Sequence, residues 1–349
     1  LALAHNGNLV NAAELRMRLM RDGAFFKTTV DSEVVLSLIA RSHKEKLEDR
    51  VAEAVNKIKG AFAFLILDDN KLIALRDPFG FRPLCLGRMD HGWVVASESC
   101  ALDLVGAKFI RDVKPGEMLV FTDDDKEPES IMYAQEMPKR SAFCVFEYVY
   151  FARTDSVIDK QNVYEARVNM GRELAKETRD IHPDIVISVP DSGTAAAVGY
   201  SLEAGIPFLE GLTKNRYVGR TFIQPTQKQR QNAVRLKLNP IRSIVEGKSV
   251  VMVDDSIVRG TTSGKIVTLL KEAGAREVHV CISSPPVKEP CYYGIDTSVR
   301  KELIASTHTE EEIRQYIGAD SLHYISLAGL KRSLKNLNPE GMCYACFNA

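Results

Sequence analysis

The sequence carries no net charge: Lys plus Arg and Asp plus Glu each total 46 in 349 residues. That balance argues against a general electrostatic hold on nucleic acid or on an anionic membrane. No apolar run approaches the roughly 20 residues of a membrane-spanning helix. We see no internal repeat or low-complexity tract, and read no signal peptide in the residues given. Cysteine is sparse. Seven in a chain this long do not make a secreted disulfide scaffold, and a reducing, cytoplasmic setting is the expectation. None of the seven precedes Cys85. Position 1 is Leu1, inside a strand-like "LALAH", which leads us to expect an N-terminally truncated or processed chain.

What is present is enough apolar material to bury a core, 45% of residues, in a length suited to two or three domains. The first 135 or so residues mix helical and strand-like runs. "NAAELRMRLM" reads as a helix with an Asn11/Glu14 capping pattern, and "DSEVVLSLIARS" as another, capped by Asp31 or Ser32. "AFAFLILDD", "KLIALRD", "GWVVASE" and "GEMLVFTDD" are rich in β-formers and separated by turns, so this half reads as helices on antiparallel strands. The polar "DDDKEPES" is a plausible region for a domain edge. Beyond it the rhythm changes. "DIVISVP", a helix through "GTAAAVGYSLEAG", and "IPFLEGL" are followed by "SVVMVDD", a helix ended by Gly274, and "EVHVCISS". Strand, helix, strand, twice over, implies a parallel sheet with crossover helices. Ligands of such sheets sit beyond the carboxyl ends of the strands, where "DDSIVRGTTSG" and "PDSGTAAA" fall.

The first of these combines unusual parts. An apolar strand ends in Asp254 and Asp255, and buried carboxylates are costly unless something positive meets them. Gly260 allows close backbone approach, Thr261, Thr262 and Ser263 offer hydroxyls, and a helix follows with its free N–H groups. The whole reads as a phosphate cradle beside a carboxylate pair, which commonly works through a divalent cation or ribose hydroxyls. The Gly-Lys-Ser/Thr order of a Walker loop is absent.

The acid pair followed by "SIVRGTTS" resembles the phosphoribosyl pyrophosphate (PRPP) motif of type I phosphoribosyltransferases. Together with "FEYVYFARTDS", "VPDSGTAAAVGYS", "KNRYVGRTFIQP" and "HNGNLVNA", the chain resembles the glutamine phosphoribosylpyrophosphate amidotransferase family, which catalyses the first committed step of purine synthesis, from Leu1 to Ala349 in order. The resemblance implies a partial N-terminal-nucleophile glutaminase (an αββα sandwich, residues 1–136). A type I phosphoribosyltransferase parallel-sheet domain (137–330) and a C-terminal tail (331–349) would follow. Asp254 and Asp255 would hold the ribose hydroxyls and Mg²⁺, with Ser192 near the metal. Ser256 would also bind PRPP, and the run Arg259, Gly260, Thr261, Thr262 and Ser263 would wrap the 5′-phosphate. Lys214, Arg216 and Arg220 would meet pyrophosphate from a closing loop, and Tyr217 would wall an ammonia path.

In the first half, the resemblance makes Asn6 and Gly7 oxyanion donors and gives Asp31 the amino group of glutamine. "RDPFGFRPL" and "VVASES" also look like this glutaminase family. Its members use an N-terminal cysteine as nucleophile, which Leu1 cannot supply. The expectation for the chain as given is therefore ammonia-dependent rather than glutamine-dependent synthesis.

"GMCYACFNA" places Cys343 and Cys346 as C-x₂-C, and Cys144 and Cys291 sit in polar or turn-adjacent settings. On residues alone, four thiolates suit zinc or an iron–sulfur cluster equally. The resemblance favours a [4Fe–4S] cluster of structural role, as in one branch of the family, with zinc as the alternative. Cys85, Cys100 and Cys281 read as structural or core. Expected small-molecule partners are PRPP, glutamine or ammonia, and the inhibitory purine nucleotides AMP, GMP, ADP and GDP; a homo-oligomer, dimer or tetramer, is also implied. Other readings are a base-salvage phosphoribosyltransferase, a glutamine–fructose-6-phosphate aminotransferase, and a regulatory or inactive paralogue that binds PRPP. The glutaminase half opposes the first and "DDSIVRGTTS" the second. A DNA-binding regulator would carry a basic helix-turn-helix, which the sequence lacks. An inactive paralogue would be expected to lose Asp254, Asp255, Lys214 or Arg216, and all are present.

Overall fold

The computed structural model describes residues 1–122, 126–215, 238–295, 299–334 and 337–348. Two sheet systems follow the change of rhythm in the sequence. In the first, Ala2–Leu9, Gly60–Leu67, Leu72–Arg76, Glu117–Phe121 and Glu129–Met132 form a five-stranded sheet, in that spatial order, with every pairing antiparallel. Alternation sends Phe62, Phe64, Ile66, Ile73, Leu75, Met118 and Val120 to one face, where the helices Ala12–Arg21, Ser32–Ala40 and Leu47–Val55 cover them. The other face, with Ala63, Ala74 and Leu119, packs on Leu86 of a smaller antiparallel sheet built from Trp93–Ala96, Cys85–Arg88 and Lys108–Asp112, and on Leu84 and Val113, which flank its strands. Glu129–Met132 lies past most of "DDDKEPES" and still pairs within the first sheet, so that loop is internal to this half rather than its edge.

The expected Asn11/Glu14 capping box does not form. No side chain caps Ala12–Arg21, because the Asn11 amide bonds instead to the backbone of Lys57 and Lys59. Asp31 does cap Ser32–Ala40 through the Ser32 N–H.

In the second system Ile185–Ser188, Ser249–Asp254, Glu277–Ile282 and Ser321–Tyr324 lie side by side, all parallel. The strands are apolar on both faces because both are covered. Val186, Val251 and Val253 meet the helices Val163–Glu177 and Thr194–Ala204. Ile187, Val250 and Met252 meet Ile266, Val267 and Leu270 of Thr261–Glu272 and Ile313 and Ile317 of Glu310–Ile317. "IPFLEGL" contributes a single bridge, Val186 to Phe208, and the strand after it, Leu212–Lys214, pairs with Leu238–Pro240 outside the parallel sheet.

The first two helices of this half cross at glycines. A Cβ on Gly199 would lie 1.9 Å from the Val168 carbonyl oxygen, and one on Gly171 would lie 1.8 Å from that of Ala196. Neither backbone can yield without moving its helix, so Gly199→Ala is expected to cost about 1–3 kcal/mol by overpacking. A lowered thermal midpoint would show it; an unchanged midpoint would mean that the crossing is looser than drawn.

Candidate active sites

The strand Ser249–Asp254 is buried from end to end and delivers the acid pair to its carboxyl edge. Asp254 and Asp255 are 8% and 6% exposed. The Asp255 N–H donates to Asp254 Oδ1 at 2.9 Å. The hydroxyls of Ser192 and Ser256 donate to the two oxygens of Asp255. Burial, and then the neighbouring Asp255, pushes the Asp254 carboxyl well above the usual carboxylate range. Burial also raises Asp255, against the hydrogen bonds from Ser192 and Ser256. Two carboxylates that cannot comfortably both ionise are poised for a cation. Arg167, itself buried, is the basic side chain whose charge acts on Asp255.

Gly260 takes φ +73° and precedes Thr261–Glu272, whose first turn no side chain caps. Its leading N–H groups are therefore open to an anion. Thr261, Thr262 and Ser263 stand on that first turn rather than in the loop; the two threonines are exposed and Ser263 is buried. Arg259 pairs with Glu302 through its Nε at 3.0 Å, and Lys214 Nζ lies 2.6 Å from Asp191 Oδ2. Arg216, Tyr217 and Arg220 lie outside the described residues.

A cavity of about 750 Å³, bordered by Tyr150 to Asp155, Arg167, Pro190, Asp191, Ser192 and Lys214, adjoins the acid pair through Ser192, which donates to Asp255. The sequence motifs point to Ser192 and Lys214 among these. Arg167 lies outside every motif, although "FARTDS", which forms the facing wall, is one of them. Its guanidinium donates to the carbonyls of Tyr148 and Ala152, both at 2.8 Å, and so holds that wall from behind.

In the first half, Asn6 and Gly7 belong to the strand Ala2–Leu9. Gly7 has φ +144°, and a Cβ there would lie 2.0 Å from the Ala61 carbonyl oxygen, so glycine is required. Asn6 Nδ2 donates to Ser97 Oγ at 3.4 Å. Asp31 reaches the same strand: it accepts from the Leu9 N–H at 2.9 Å and lies 3.3 Å from His5 Nδ1. Burial works to raise its carboxyl, but the bonds from His5 and the Leu9 N–H outweigh that and hold it low. Asn6, Gly7 and Asp31 are thus gathered about one strand, with Asp31 ionised. From the second half, the Tyr292 carbonyl accepts from Asn8 Nδ2 at 2.8 Å.

The four cysteines also converge. Met342–Cys343 pairs with Phe143–Cys144, setting Cys343 opposite Cys144. The Cys346 carbonyl accepts from the Lys288 and Glu289 N–H groups, which ties the tail to the segment carrying Cys291. Burial first, then Cys144, Cys343 and Cys291, raises the Cys346 thiol. Burial pushes Cys144 up to about 12, opposed by the Arg82 guanidinium. That guanidinium is buried with its Nε unpartnered among the described residues. Among the described residues, no three cysteine, histidine or carboxylate side chains are close enough to hold a single metal ion. Thiolates around one zinc stand about 3.8 Å apart, from Zn–S bonds of about 2.3 Å; a four-iron cluster holds its thiolates more widely.

Known proteins align with this layout. Residues 1–104 match the glutamine amidotransferase domain family and 161–301 the phosphoribosyl transferase domain family. An amidophosphoribosyltransferase of Bacillus subtilis is 52% identical over 350 residues, 99% of this chain and 72% of the relative. One from Archaeoglobus fulgidus is 49% identical over 100% of this chain and 76% of its own length. A solved structure of the B. subtilis glutamine PRPP amidotransferase, complexed with ADP and GMP, superposes with a TM-score of 0.91 at 52% identity, covering 99% of this chain and 76% of that one. On this identity and coverage across both halves, the chain belongs to the amidophosphoribosyltransferase family.

Proposed function

We propose that the acid-pair edge of the parallel sheet binds PRPP and that ammonia there displaces pyrophosphate to give 5-phosphoribosylamine. Asn6, Gly7 and Asp31 would hold glutamine, whose hydrolysis supplies the ammonia in members of the family; for the chain as given, free ammonia is the expected donor, because Leu1 cannot act as the nucleophile. The observation that carries this reading is the sequence of parts at one strand end. Two buried carboxylates with raised pKa values are followed by a left-handed glycine and an uncapped helix start. Ser192, Asp254 and Asp255 would hold Mg²⁺, which when bound offsets charge on the departing pyrophosphate. The ribose hydroxyls fall to the same carboxylates. Ser256, Arg259, Gly260, Thr261, Thr262 and Ser263 serve the 5′-phosphate, for which Arg259 must leave Glu302. Lys214, with Arg216 and Arg220, meets pyrophosphate, and Tyr217 walls the ammonia path. Charge that grows on the leaving group makes these cations most valuable in the transition state.

Domain limits of 1–136, 137–330 and 331–349 suit this division of labour. Cys144, Cys291, Cys343 and Cys346 would hold a [4Fe–4S] cluster that ties the tail to the transferase half. In its favour are their convergence and the buried Arg82, whose Nε, unpartnered among the described residues, complements an anionic cluster. Inhibition by purine nucleotides is inferred from the relative solved with ADP and GMP. A homo-oligomer in the cytoplasm is the setting that family membership favours.

Pyrophosphate release from PRPP with Mg²⁺ and ammonium tests the transferase reading. Release that requires all three supports it, and folded protein that releases none overturns it. For the cysteines, anaerobic protein should carry about four irons and four sulfides per chain; stoichiometric zinc without iron would sink the cluster.

A further inference from the structure

Glu98 belongs to the glutaminase half, directly after Trp93–Ala96 and Ser97, yet its side chain serves the other half. It occupies the cap position of the helix Ser99–Leu104 but makes no capping bond there. Instead, Glu98 Oε2 accepts from the Arg153 N–H and from Ser156 Oγ, both at 2.7 Å. The next residue repeats the gesture, since Ser99 Oγ accepts from the Val157 N–H at 2.8 Å. Two consecutive side chains thus hold three donors of one turn. Ser156 is fully buried, so its hydroxyl has no water to replace a lost acceptor. The same turn, through Arg153, Thr154 and Asp155, walls the cavity beside Ser192.

We propose that Glu98 is a positioning residue of the transferase site: its carboxylate fixes the Arg153–Ser156 turn, so the glutaminase half completes the wall of the PRPP cavity. This rests on the reading of that cavity as the PRPP site. The bonds are made in the free protein and in every bound state, so Glu98 sets how well the wall is formed before PRPP arrives. Its removal should act on PRPP affinity rather than on the turnover of bound PRPP.

Glu98→Ala and Glu98→Gln decide the matter, because a glutamine carbonyl can accept both bonds and alanine accepts neither. In ammonium-dependent synthesis, Glu98→Ala should raise the KM for PRPP by about tenfold or more with kcat within about threefold. Glu98→Gln should stay within about threefold of the unmodified protein in both. Hydrogen exchange at the Arg153 and Val157 amides should quicken in the alanine variant without ligand and slow in the unmodified protein when PRPP is added. Quickened exchange with an unchanged KM would overturn the proposal, leaving Glu98 a scaffold contact. So would a glutamine variant as impaired as the alanine one. Unmodified protein that turns over PRPP without slowing exchange across the turn would also overturn it. Unmodified protein that neither binds nor turns over PRPP would instead bring down the site reading beneath.

Discussion

Asp254→Asn and Asp255→Asn should each lower ammonium-dependent pyrophosphate release by about 10³-fold or more in kcat/KM, a loss of about 4 kcal/mol in transition-state stabilisation. The size follows from where the carboxylates stand. Both are nearly enclosed, and in a site shielded from water each unit of charge counts for more than at a surface. An asparagine keeps the shape and one acceptor oxygen but removes the charge that would draw a divalent cation and orient the ribose hydroxyls. Asp255→Asn also weakens the acceptors for the Ser192 and Ser256 hydroxyls, which fix the carboxylate plane. The folded state should not suffer equally. Burial and the adjacent carboxylate already work against ionisation of Asp254, so a neutral amide relieves that opposition. The thermal midpoint of ligand-free Asp254→Asn should therefore match or exceed that of the unmodified protein, while activity falls. Either variant retaining activity within about tenfold would remove the acid pair from the reaction.

Much of that site is legible in sequence because its logic is local. The run "SVVMVDDSIVRGTTSGK" contains the strand, the acids, the left-handed glycine and the helix start within one stretch, and each part follows from short-range backbone preference. The helix boundary shows where local reading fails. Ser263 looks like a loop hydroxyl by composition, but the helix begins at Thr261 and its third position turns inward. Asn11 has the right spacing for a cap, yet it bonds to backbone 46 and 48 residues away, because tertiary partners outweigh a capping box. "IPFLEGL" is apolar enough for a strand, but strand pairing is a contract with a neighbour, and only Phe208 finds one in the parallel sheet. The least legible residues are those whose role is to join the halves. Glu98 and Arg153 are 55 residues apart, Asn8 and Tyr292 are 284 apart, and no periodicity links them. Cysteine spacing announces Cys343 and Cys346, whereas their meeting with Cys144 and Cys291 depends on how the tail crosses the sheet edge.

The Arg82–Glu147 pair is another such joint, and its rupture should be the most destabilising of the changes considered. Arg82 Nη1 lies 2.7 Å from Glu147 Oε1, with side chains 4% and 6% exposed. Glu147→Gln leaves a permanently charged guanidinium buried beside Phe151 without the carboxylate it is bonded to. The expected loss is about 3–5 kcal/mol, a fall of roughly 10 °C in the thermal midpoint for a domain of this size. Arg82→Met should fail differently. Burial already raises the Glu147 carboxyl even with Arg82 beside it, and without Arg82 it must rise further. An acid whose folded-state pKa lies above its unfolded value near 4.3 is least harmful at low pH; stability falls as pH rises through the folded value. The deficit of Arg82→Met should therefore grow between pH 5 and pH 8, because a protonated Glu147 can remain buried and an ionised one cannot. The deficit of Glu147→Gln should be nearly flat over the same range, since neither the amide nor the guanidinium titrates there. Thermal midpoints of the two variants and of the unmodified protein at both pH values would show the divergence. Parallel curves would mean that Glu147 stays charged without its partner, held by groups other than Arg82.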